Sequence, residues 1–225
     1  MSWNQLNGIW EGEEFLSWGG ARLTDLPISP PPPEQAPAPG VVVIGRFQPF
    51  HRGHASLIES AESWRSENAS EMGLIIGLGS SNRPESMQNP WSPEERSSMI
   101  RAWLSATGIS AEIVPIPDIE DPPNWVSHAE KYHGEGGHLF TSDMESAQLY
   151  ETSDWRVVLG ELENRNTFEG WRVRATAQMM STVDDPDAVM EVLSASVPEV
   201  VVSHMVENGM LRRLAFLGEG GEPVG

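Results

Sequence analysis

The fold is decided by the stretch Val41-Val42-Val43-Ile44-Gly45-Arg46-Phe47-Gln48-Pro49-Phe50-His51-Arg52-Gly53-His54. Its first four residues form an apolar run typical of a buried strand, and glycine and proline then interrupt the pattern. The run Ala55-Ser56-Leu57-Ile58 that follows favours a helix. The segment therefore predicts a strand, a turn and a helix start, where backbone amides and the helix dipole favour an anion.

Two histidines, His51 and His54, lie three residues apart at this helix start. About one helical turn separates them, so both imidazoles are able to face the same way. Pro49 fixes the approach of the chain, and Gly53 lets a phosphate come close to the backbone. With the guanidinium of Arg46, these donors are suited to stabilising charge on a phosphoryl group in transfer. The alternative is that the histidines merely cap the helix.

The pattern from Gly45 to His54, Gly-Arg-Phe-Gln-Pro-Phe-His-x-Gly-His, resembles the signature of the archaeal-type nicotinamide-nucleotide adenylyltransferases, within the HxGH nucleotidyltransferase superfamily. The resemblance covers most of Val41–Leu214. It implies a Rossmann-like fold and transfer of the adenylyl group of ATP to nicotinamide mononucleotide, which gives NAD and pyrophosphate. Arg46, His51 and His54 would be the catalytic residues. Mg²⁺ would bridge the substrate phosphates, and no metal site made by the protein itself is evident.

Composition limits the classes of protein that fit this chain of 225 residues and 24.8 kDa. The length suits one α/β domain with an appendage. Cysteine is absent, which excludes disulfides and thiolate chemistry. No apolar stretch approaches the roughly 20 residues that span a bilayer, and no secretory signal is visible, so we expect a cytoplasmic location.

The net charge of −19 is large, and Lys131 is the single lysine. Such a surface disfavours nucleic-acid backbones and anionic membranes as partners. Scarce lysine with abundant carboxylates fits a protein that works at high salt, where self-repulsion is screened, and fits equally an ordinary acidic cytosolic protein.

The chain divides by composition into an N-terminal extension at residues 1–40, a domain at 41–216 and a flexible tail at 217–225. The extension contains three tryptophans before residue 20, followed by a proline-rich stretch that we interpret as a polyproline-like linker. A mobile tail and a docking arm are both compatible with its first part.

From Val41 onward, strand and helix patterns alternate, which predicts a doubly wound parallel sheet with ligands beyond the strand carboxyl ends. The predicted strands are Val41–Ile44, Met72–Leu78, Ala111–Ile116, His138–Thr141 and Trp155–Leu159. The predicted helices are His54–Ser66, Pro93–Thr107, Asn124–Tyr132, Met144–Glu151, Asp185–Ser194 and Pro198–Leu214.

The resemblance also implies a set of ATP-binding residues, with two departures. The set is Gly45, Phe47, Gln48, Gly53, Ser142, Asp143, Arg174 and Thr176. Asp143 stands where the family has asparagine. The family's Ile-Ser-x-Thr-x-Ile/Val-Arg motif is matched best by Val173–Met179, in which Arg174 holds the serine position and Met179 the arginine position. Either Arg174 or Arg172 supplies the missing charge, or activity is lost.

Two segments resemble the parts of the family that bind the mononucleotide. They are Asn89–Ile100 and Ile116–Val126, although in the second Asn124 stands directly beside Trp125. The flat face of Trp125 suits a cationic nicotinamide ring. The implied binding residues are Gly79, Ser80, Asn89, Arg96, Asp118 and Trp125.

Two other functions stay open at this point. The acceptor in an adenylyl or cytidylyl transfer could be another phosphorylated compound, or the chain could be a non-catalytic nucleotide-binding regulator. The resemblance also implies a homo-oligomer, of a size that the sequence does not fix.

Overall fold

The computed structural model describes residues 26–160 and 169–217. Its strands are β1 (Gly40–Gly45), β2 (Gly73–Leu78), β3 (Glu112–Pro115), β4 (His138–Thr141) and β5 (Arg156–Leu159). Its helices are α1 (Arg52–Asn68), α2 (Pro93–Thr107), α3 (Trp125–His133), α4 (Met144–Glu151), α5 (Gly170–Met180), α6 (Pro186–Leu193) and α7 (Glu199–Glu207). In the described part of the chain, no helix is both long and apolar enough to cross a membrane.

The five strands form one sheet in the order β3-β2-β1-β4-β5, and every neighbouring pair is parallel. The predicted doubly wound parallel sheet is therefore confirmed. The order reverses between β1 and β4, so the chain leaves a crevice at the carboxyl ends of these two strands. In open parallel sheets, ligands bind at such a reversal.

Side chains alternate between the two faces of the sheet along each strand, and helices cover both faces. Val41 and Val43 point into a core formed with α1, α2 and the C-terminal helices α5–α7. Val42 points into a second core formed with α3 and α4. The continuous valine run of β1 is thus explained by burial on both sides.

Helices differ from the prediction by more than one residue in three places. Helix α1 begins at Arg52 because His51 caps it. Helix α5 was absent from the sequence-based prediction. The helix predicted to run to Leu214 is wrong in its second half: α7 ends at Glu207, Gly209 adopts a φ of 63°, and a separate 3-10 turn follows at Arg212–Ala215.

The part of the N-terminal extension that the structure describes lies against the domain. Residues 26–39, which the sequence suggested as a linker, run past the edge strand β3 and the helix α3. The tryptophan-containing residues before Leu26 and almost all of the predicted tail at 217–225 lie outside the described residues.

Candidate active site

The turn after β1 is built on a buried aromatic side chain. Phe47 is 1% exposed and has a φ of 51°, in the left-handed region. Its ring packs beneath Gly45, where an added Cβ would lie 3.1 Å from the ring. It also lies 4.7 Å from the ring of His54, measured between centroids. Phe47 therefore supports the predicted ATP site from below.

His51 and His54 hold each other in place as reciprocal caps of α1. The backbone N–H of His54 donates to Nδ1 of His51, and the backbone N–H of His51 donates to Nδ1 of His54, each over 3.3 Å. The two rings stack with centroids 3.6 Å apart. Because each Nδ1 accepts a hydrogen bond, the hydrogen of each neutral ring lies on Nε2.

Both histidines are held in the neutral form. Burial, and then the positive charge of Arg174, lower the pKa of His51 from 6.5 to about 4. Burial and the neighbouring His51 lower the pKa of His54 well below its usual value. At neutral pH the pair therefore presents two N–H donors without charge, and the net positive charge of the site comes from arginines.

Arg174 supplies one of these charges from α5. Its Nη1 donates to the backbone carbonyl of Gln48 over 2.8 Å, which places its guanidinium beside the turn that carries His51. Burial, and then repulsion from Arg46, lower the pKa of Arg174. Gly170, one turn earlier on α5, leaves room for this guanidinium, since an added Cβ would lie 3.3 Å from Nη1.

The two other candidate cations, Arg46 and Arg172, differ from Arg174 in exposure and in hydrogen bonding. Arg46 is exposed at the end of β1, and its side chain makes no hydrogen bond to any described residue. Arg172 is bonded to Glu169 over 2.8 Å and stacks on the exposed ring of Trp171 at 4.8 Å. Of the two residues expected to replace the missing family arginine, Arg174 therefore lies at the site, whereas Arg172 does not.

Arg96 is buried beneath the strand ends. It is 1% exposed, and four of its N–H donors bond to the backbone carbonyls of Arg46, Gly79, Ser80 and Ser92. Burial lowers its pKa to about 10. The guanidinium of Arg96 joins the loops after β1 and β2, and its binding of the mononucleotide stays a prediction.

Asp118 lies where β3 and β2 end side by side. Its Oδ2 accepts from Ser80 Oγ over 2.9 Å and from Arg83 Nε over 2.7 Å. Asn82 pairs with the backbone of Asp118 in both directions, over 2.7 and 2.9 Å. Ser80 has a φ of 54°, an unfavourable value for a non-glycine residue that these contacts help to hold. The loops after β2 and β3 are thus one hydrogen-bonded unit.

Trp125 opens α3 next to this unit. Its ring is partly buried against the second core and lies 5.9 Å from the ring of His128. His128 is in turn bonded to the carbonyl of Pro117 over 2.8 Å. The Trp125 side chain is only partly buried.

Gln48 and Asn89 belong to the segment that leads into α2. The side chain of Gln48 is buried and pairs with the backbone of Trp91 through both its amide nitrogen and its oxygen, over 2.8 and 3.2 Å. This pairing joins the β1 turn to the segment before α2, and contact of Gln48 with ATP stays a prediction. The Oδ1 of Asn89 is buried and has no hydrogen-bond partner among the described residues.

The last group of predicted ATP contacts lies at β4 and α5. Asp143 caps α4 by accepting from the N–H and the hydroxyl of Ser146, over 2.9 and 2.8 Å. Ser142 precedes it at the strand end, which faces the crevice beside β1. Thr176 donates to the carbonyl of Arg172 over 3.1 Å, so its hydroxyl is used within α5.

Gly53 and Gly79 keep the backbone close to the site. Gly53 is buried in the first turn of α1, between the two histidines. The N–H of Gly79 donates to the carbonyl of Gly45 over 2.9 Å, which joins the ends of β1 and β2. The carboxyl end of β1 therefore carries one group of predicted site residues: Arg46, His51, His54 and Arg174. A second group lies at the ends of β2 and β3: Ser80, Asp118 and Trp125.

No group of three or more metal-binding side chains occurs within residues 26–160 and 169–217. The donors near the β1 turn are imidazole and guanidinium N–H groups, which suit phosphate oxygens rather than a cation.

Comparison with known proteins identifies the family. Residues 42–121 match the model of the Cytidylyltransferase-like family. A nicotinamide-nucleotide adenylyltransferase of Methanococcus aeolicus is 32% identical over 133 residues, which are 59% of this chain and 74% of the relative. One of Haloarcula marismortui is 29% identical over 184 residues, 78% of this chain and 92% of the relative. The chain belongs to the nicotinamide-nucleotide adenylyltransferase family.

A solved structure of another protein has the same fold as this chain. A bifunctional NMN adenylyltransferase/ADP ribose pyrophosphatase from Francisella tularensis, complexed with AMP and a manganese ion, superposes with a TM-score of 0.54 at 18% identity. The alignment covers 80% of the present chain and 52% of that protein, so the chain spans about half its length. The predicted family, enzyme class and Rossmann-like fold are confirmed.

Three residues that hold the site together were not identified from the sequence. Arg83 and Asn82 hold Asp118, and Arg213 bonds to Glu95 and to the carbonyl of Pro90, which ties the C-terminus to the start of α2. None of the three stands in a recognisable motif. Their partners are 35, 36 and 118 or more residues away in the sequence, so only the folded chain brings them together.

Proposed function

We propose that this chain transfers the adenylyl group of ATP to nicotinamide mononucleotide, forming NAD and pyrophosphate. The observation that carries the proposal is the assembly of His51, His54, Arg46 and Arg174 at the carboxyl end of β1, in a member of this family. In this arrangement two neutral N–H donors and two arginine side chains surround the N-terminus of α1, directly after β1. A helix N-terminus favours a bound anion.

The reaction needs little acid–base chemistry. An oxygen of the mononucleotide phosphate attacks the α-phosphorus of ATP, and the bond from that phosphorus to the oxygen bridging the β-phosphate breaks. The attacking phosphate is already anionic, so the protein contributes positioning and charge stabilisation. The Nε2–H groups of His51 and His54 donate to phosphate oxygens, while Arg46 and Arg174 offset the charge of the triphosphate.

The two substrates divide between the two sides of β1. ATP occupies the crevice between β1 and β4, with Gly45, Gly53, Ser142 and Asp143 at its edges. The mononucleotide lies towards β2 and β3, where Trp125 stacks on the nicotinamide ring and Asp118 and Ser80 orient it. A cationic ring beside an aromatic face and a carboxylate is favoured on electrostatic grounds.

We propose Mg²⁺ as the divalent ion that the substrates bring with them. It neutralises charge on the phosphates when bound. A homo-oligomer and a cytoplasmic location stay predictions, the first of which light scattering on the purified protein would test.

The direct test measures pyrophosphate release from ATP and Mg²⁺ with nicotinamide mononucleotide, together with the appearance of NAD. Nicotinic acid mononucleotide, pantetheine phosphate and flavin mononucleotide are run in parallel, and CTP replaces ATP in one series. We expect release with a nicotinamide-type acceptor and ATP. ATP binding without release for any acceptor would contradict the proposal and favour a regulatory protein.

Substitution of a histidine tests the assigned site. His54→Ala is expected to abolish turnover, because it removes an N–H donor and the cap on His51 together. His204→Ala is the matched control, since His204 lies on α7 and bonds only to Ser98 and Asn208 among the described residues. Equal rates for wild type and His54→Ala would refute the role of the histidine pair.

A further inference from the structure

The proline-rich segment at residues 26–39, here called the strap, is anchored to the domain by side-chain donors. Tyr132 Oη donates to the carbonyl of Pro30 over 3.0 Å, and Asn82 Nδ2 donates to the carbonyl of Pro27 over 3.2 Å. Ser81 Oγ lies 3.5 Å from the carbonyl of Ser29. Proline has a carbonyl acceptor and no N–H, so the donors have to come from the domain.

The other end of the strap fits a surface made of glycines. The carbonyl of Pro37 passes so close to Gly134 that an added Cβ there would lie 2.3 Å from it. An added Cβ at Gly137 would lie 2.2 Å from the carbonyl oxygen of Gly40, where the strap joins β1. Both glycines belong to the loop between α3 and β4, so the loop leaves space for the strap along a defined path.

The strap covers β3 without adding a strand to the sheet. A cavity of about 270 Å³ lies between its prolines and residues 112–115 of β3. No backbone hydrogen bond joins the strap to β3 within the described residues. Prolines are typical of segments that shield an edge strand without pairing with it.

The strap is connected to the predicted acceptor site through one side chain. Asn82 Nδ2 bonds to the carbonyl of Pro27 and also to the carbonyl of Asp118, and its Oδ1 accepts from the N–H of Asp118. Ser81, the second anchor, lies between Ser80 and Asn82. The strap therefore holds the same loop that holds Asp118, whose carboxylate bonds to Ser80 and Arg83.

We propose that the strap is a positioning element of the acceptor site: by fixing Ser81 and Asn82 it holds Asp118 in the orientation that binds the mononucleotide. The inference rests on the proposed function for the identity of the acceptor. The strap makes no contact with ATP in this proposal, because its anchors lie in the loop after β2 and on α3, while the histidine pair and Arg174 lie at the end of β1 and on α5. Loss of the strap then weakens acceptor binding and leaves ATP binding intact.

The test compares the full chain with chains that begin at Leu26 and at Gly40. The first keeps the strap and the second removes it. We expect removal of the strap to raise the KM for nicotinamide mononucleotide about tenfold, which corresponds to about 1.4 kcal/mol. The KM for ATP is expected to stay within about twofold in both chains, and the chain from Leu26 should match the full chain.

A double variant keeps the proposal testable if the chain from Gly40 does not fold. Ser81→Ala with Tyr132→Phe deletes two strap anchors and leaves Asn82, Asp118 and the aromatic ring in place. Its expected effect is a rise of about threefold in the KM for the mononucleotide alone. Ser60→Ala, which deletes a 2.8 Å hydroxyl–carbonyl bond within α1, is the matched control.

Hydrogen exchange at the backbone N–H of Asp118 gives a readout that does not depend on turnover. Loss of the strap, or of its two hydroxyl anchors, should speed exchange at this amide relative to amides in α1. If the full chain makes no NAD, the proposed function fails, while this exchange measurement still decides whether the strap holds Asp118. Unchanged exchange, an unchanged KM for the mononucleotide, or equal rises in both KM values would overturn the proposal.

Discussion

At the scale of single residues, the site depends on how hydrogen-bonding groups are shared between folding and binding. The guanidinium of Arg96 and the side-chain amide of Gln48 form their hydrogen bonds with backbone groups. His51 and His54 each use Nδ1 to cap α1, and the ring of His54 also forms a hydrogen bond with the backbone of Pro49. A hydrogen bond from Arg174 to the carbonyl of Gln48 holds its positively charged guanidinium beside the site.

Arg174 is expected to act as the phosphate cation in place of the arginine that the family motif would put at Met179. Met179 is 76% exposed, whereas Arg174 lies beside His51. Arg174→Met should lower kcat/KM for ATP by roughly 30- to 100-fold, the effect of losing charge-assisted hydrogen bonds of about 2–3 kcal/mol. Steady-state kinetics with each substrate varied in turn measure this.

Arg172→Met is the matched control for that substitution. It removes an arginine from the same helix at a side chain that is 57% exposed and paired with Glu169. Its kinetics should stay within about twofold of wild type, because an exposed ion pair contributes little. A larger loss in Arg172→Met than in Arg174→Met would show that the wrong cation has been assigned.

Trp125→Ala is expected to raise the KM for nicotinamide mononucleotide about tenfold, because it removes the aromatic face proposed to stack on the pyridinium ring. Trp125→Phe keeps an aromatic face and should lose less. Kinetics at saturating ATP measure both effects. A defect confined to ATP would contradict the stacking hypothesis.

At the scale of elements, the C-terminal helices close the site from the side of α1 and α2. The start of α1 bonds to the end of α6, since Arg52 Nε and its backbone N–H reach the carbonyls of Ser194 and Ser196 over 2.8 Å each. The indole N–H of Trp91 donates to the carbonyl of Met210 over 3.0 Å. Helix α5, which carries Arg174, is therefore held in a unit that also fixes the segment before α2.

Trp91→Phe tests this closure. Trp91 is 1% exposed, so the change leaves a buried carbonyl without its donor and a void beside it. The expected loss is about 2–3 kcal/mol in the free energy of unfolding, measured by urea denaturation. Trp171→Phe, at a side chain 57% exposed, should change it by less than about 0.5 kcal/mol. Equal losses would contradict the assigned role of Trp91.

At the scale of the whole molecule, two properties follow from groups spread over the chain. One is the burial of neutral histidines on both faces of the sheet. The pKa of His133, which bonds to Tyr150 and Gly134 in the second core, is lowered by burial to about 4, as is that of His51. The other is the net charge of −19.

Stability is expected to fall as the pH decreases from about 6.5 to about 4. In this window the unfolded chain binds protons at histidines that the folded chain keeps neutral, so protonation favours unfolding. Urea denaturation at a series of pH values measures the slope. His51→Asn should make the slope shallower, because asparagine keeps the helix cap without the titrating ring. An identical slope would refute the burial effect at His51.

Added potassium chloride is expected to raise the free energy of unfolding. The screening length falls from about 10 Å at 0.1 M salt to about 3 Å at 1 M, which reduces repulsion among the carboxylates of the folded chain. Urea denaturation at both concentrations measures the effect. Chloride is preferred to sulfate because sulfate stabilises proteins by exclusion from their surface. No gain in stability would favour an ordinary acidic protein.

The amino-acid sequence by itself determined the sheet and the first half of the site. The apolar runs of β1 and β2, the capped start of α2 and the pattern from Gly45 to His54 are local signals, readable because each depends on neighbours within one or two turns. They predicted a parallel sheet and the location of the histidine pair.

Tertiary structure alone decided which charges face the site and which are buried. Arg96 and Arg174 look alike in sequence, yet one is enclosed by carbonyls of two loops and the other reaches the histidines from α5. The position of Arg174 and the anchoring of the strap depend on contacts between residues 52 or more positions apart. Such contacts join parts of the chain that are far apart in sequence, so no local pattern could reveal them.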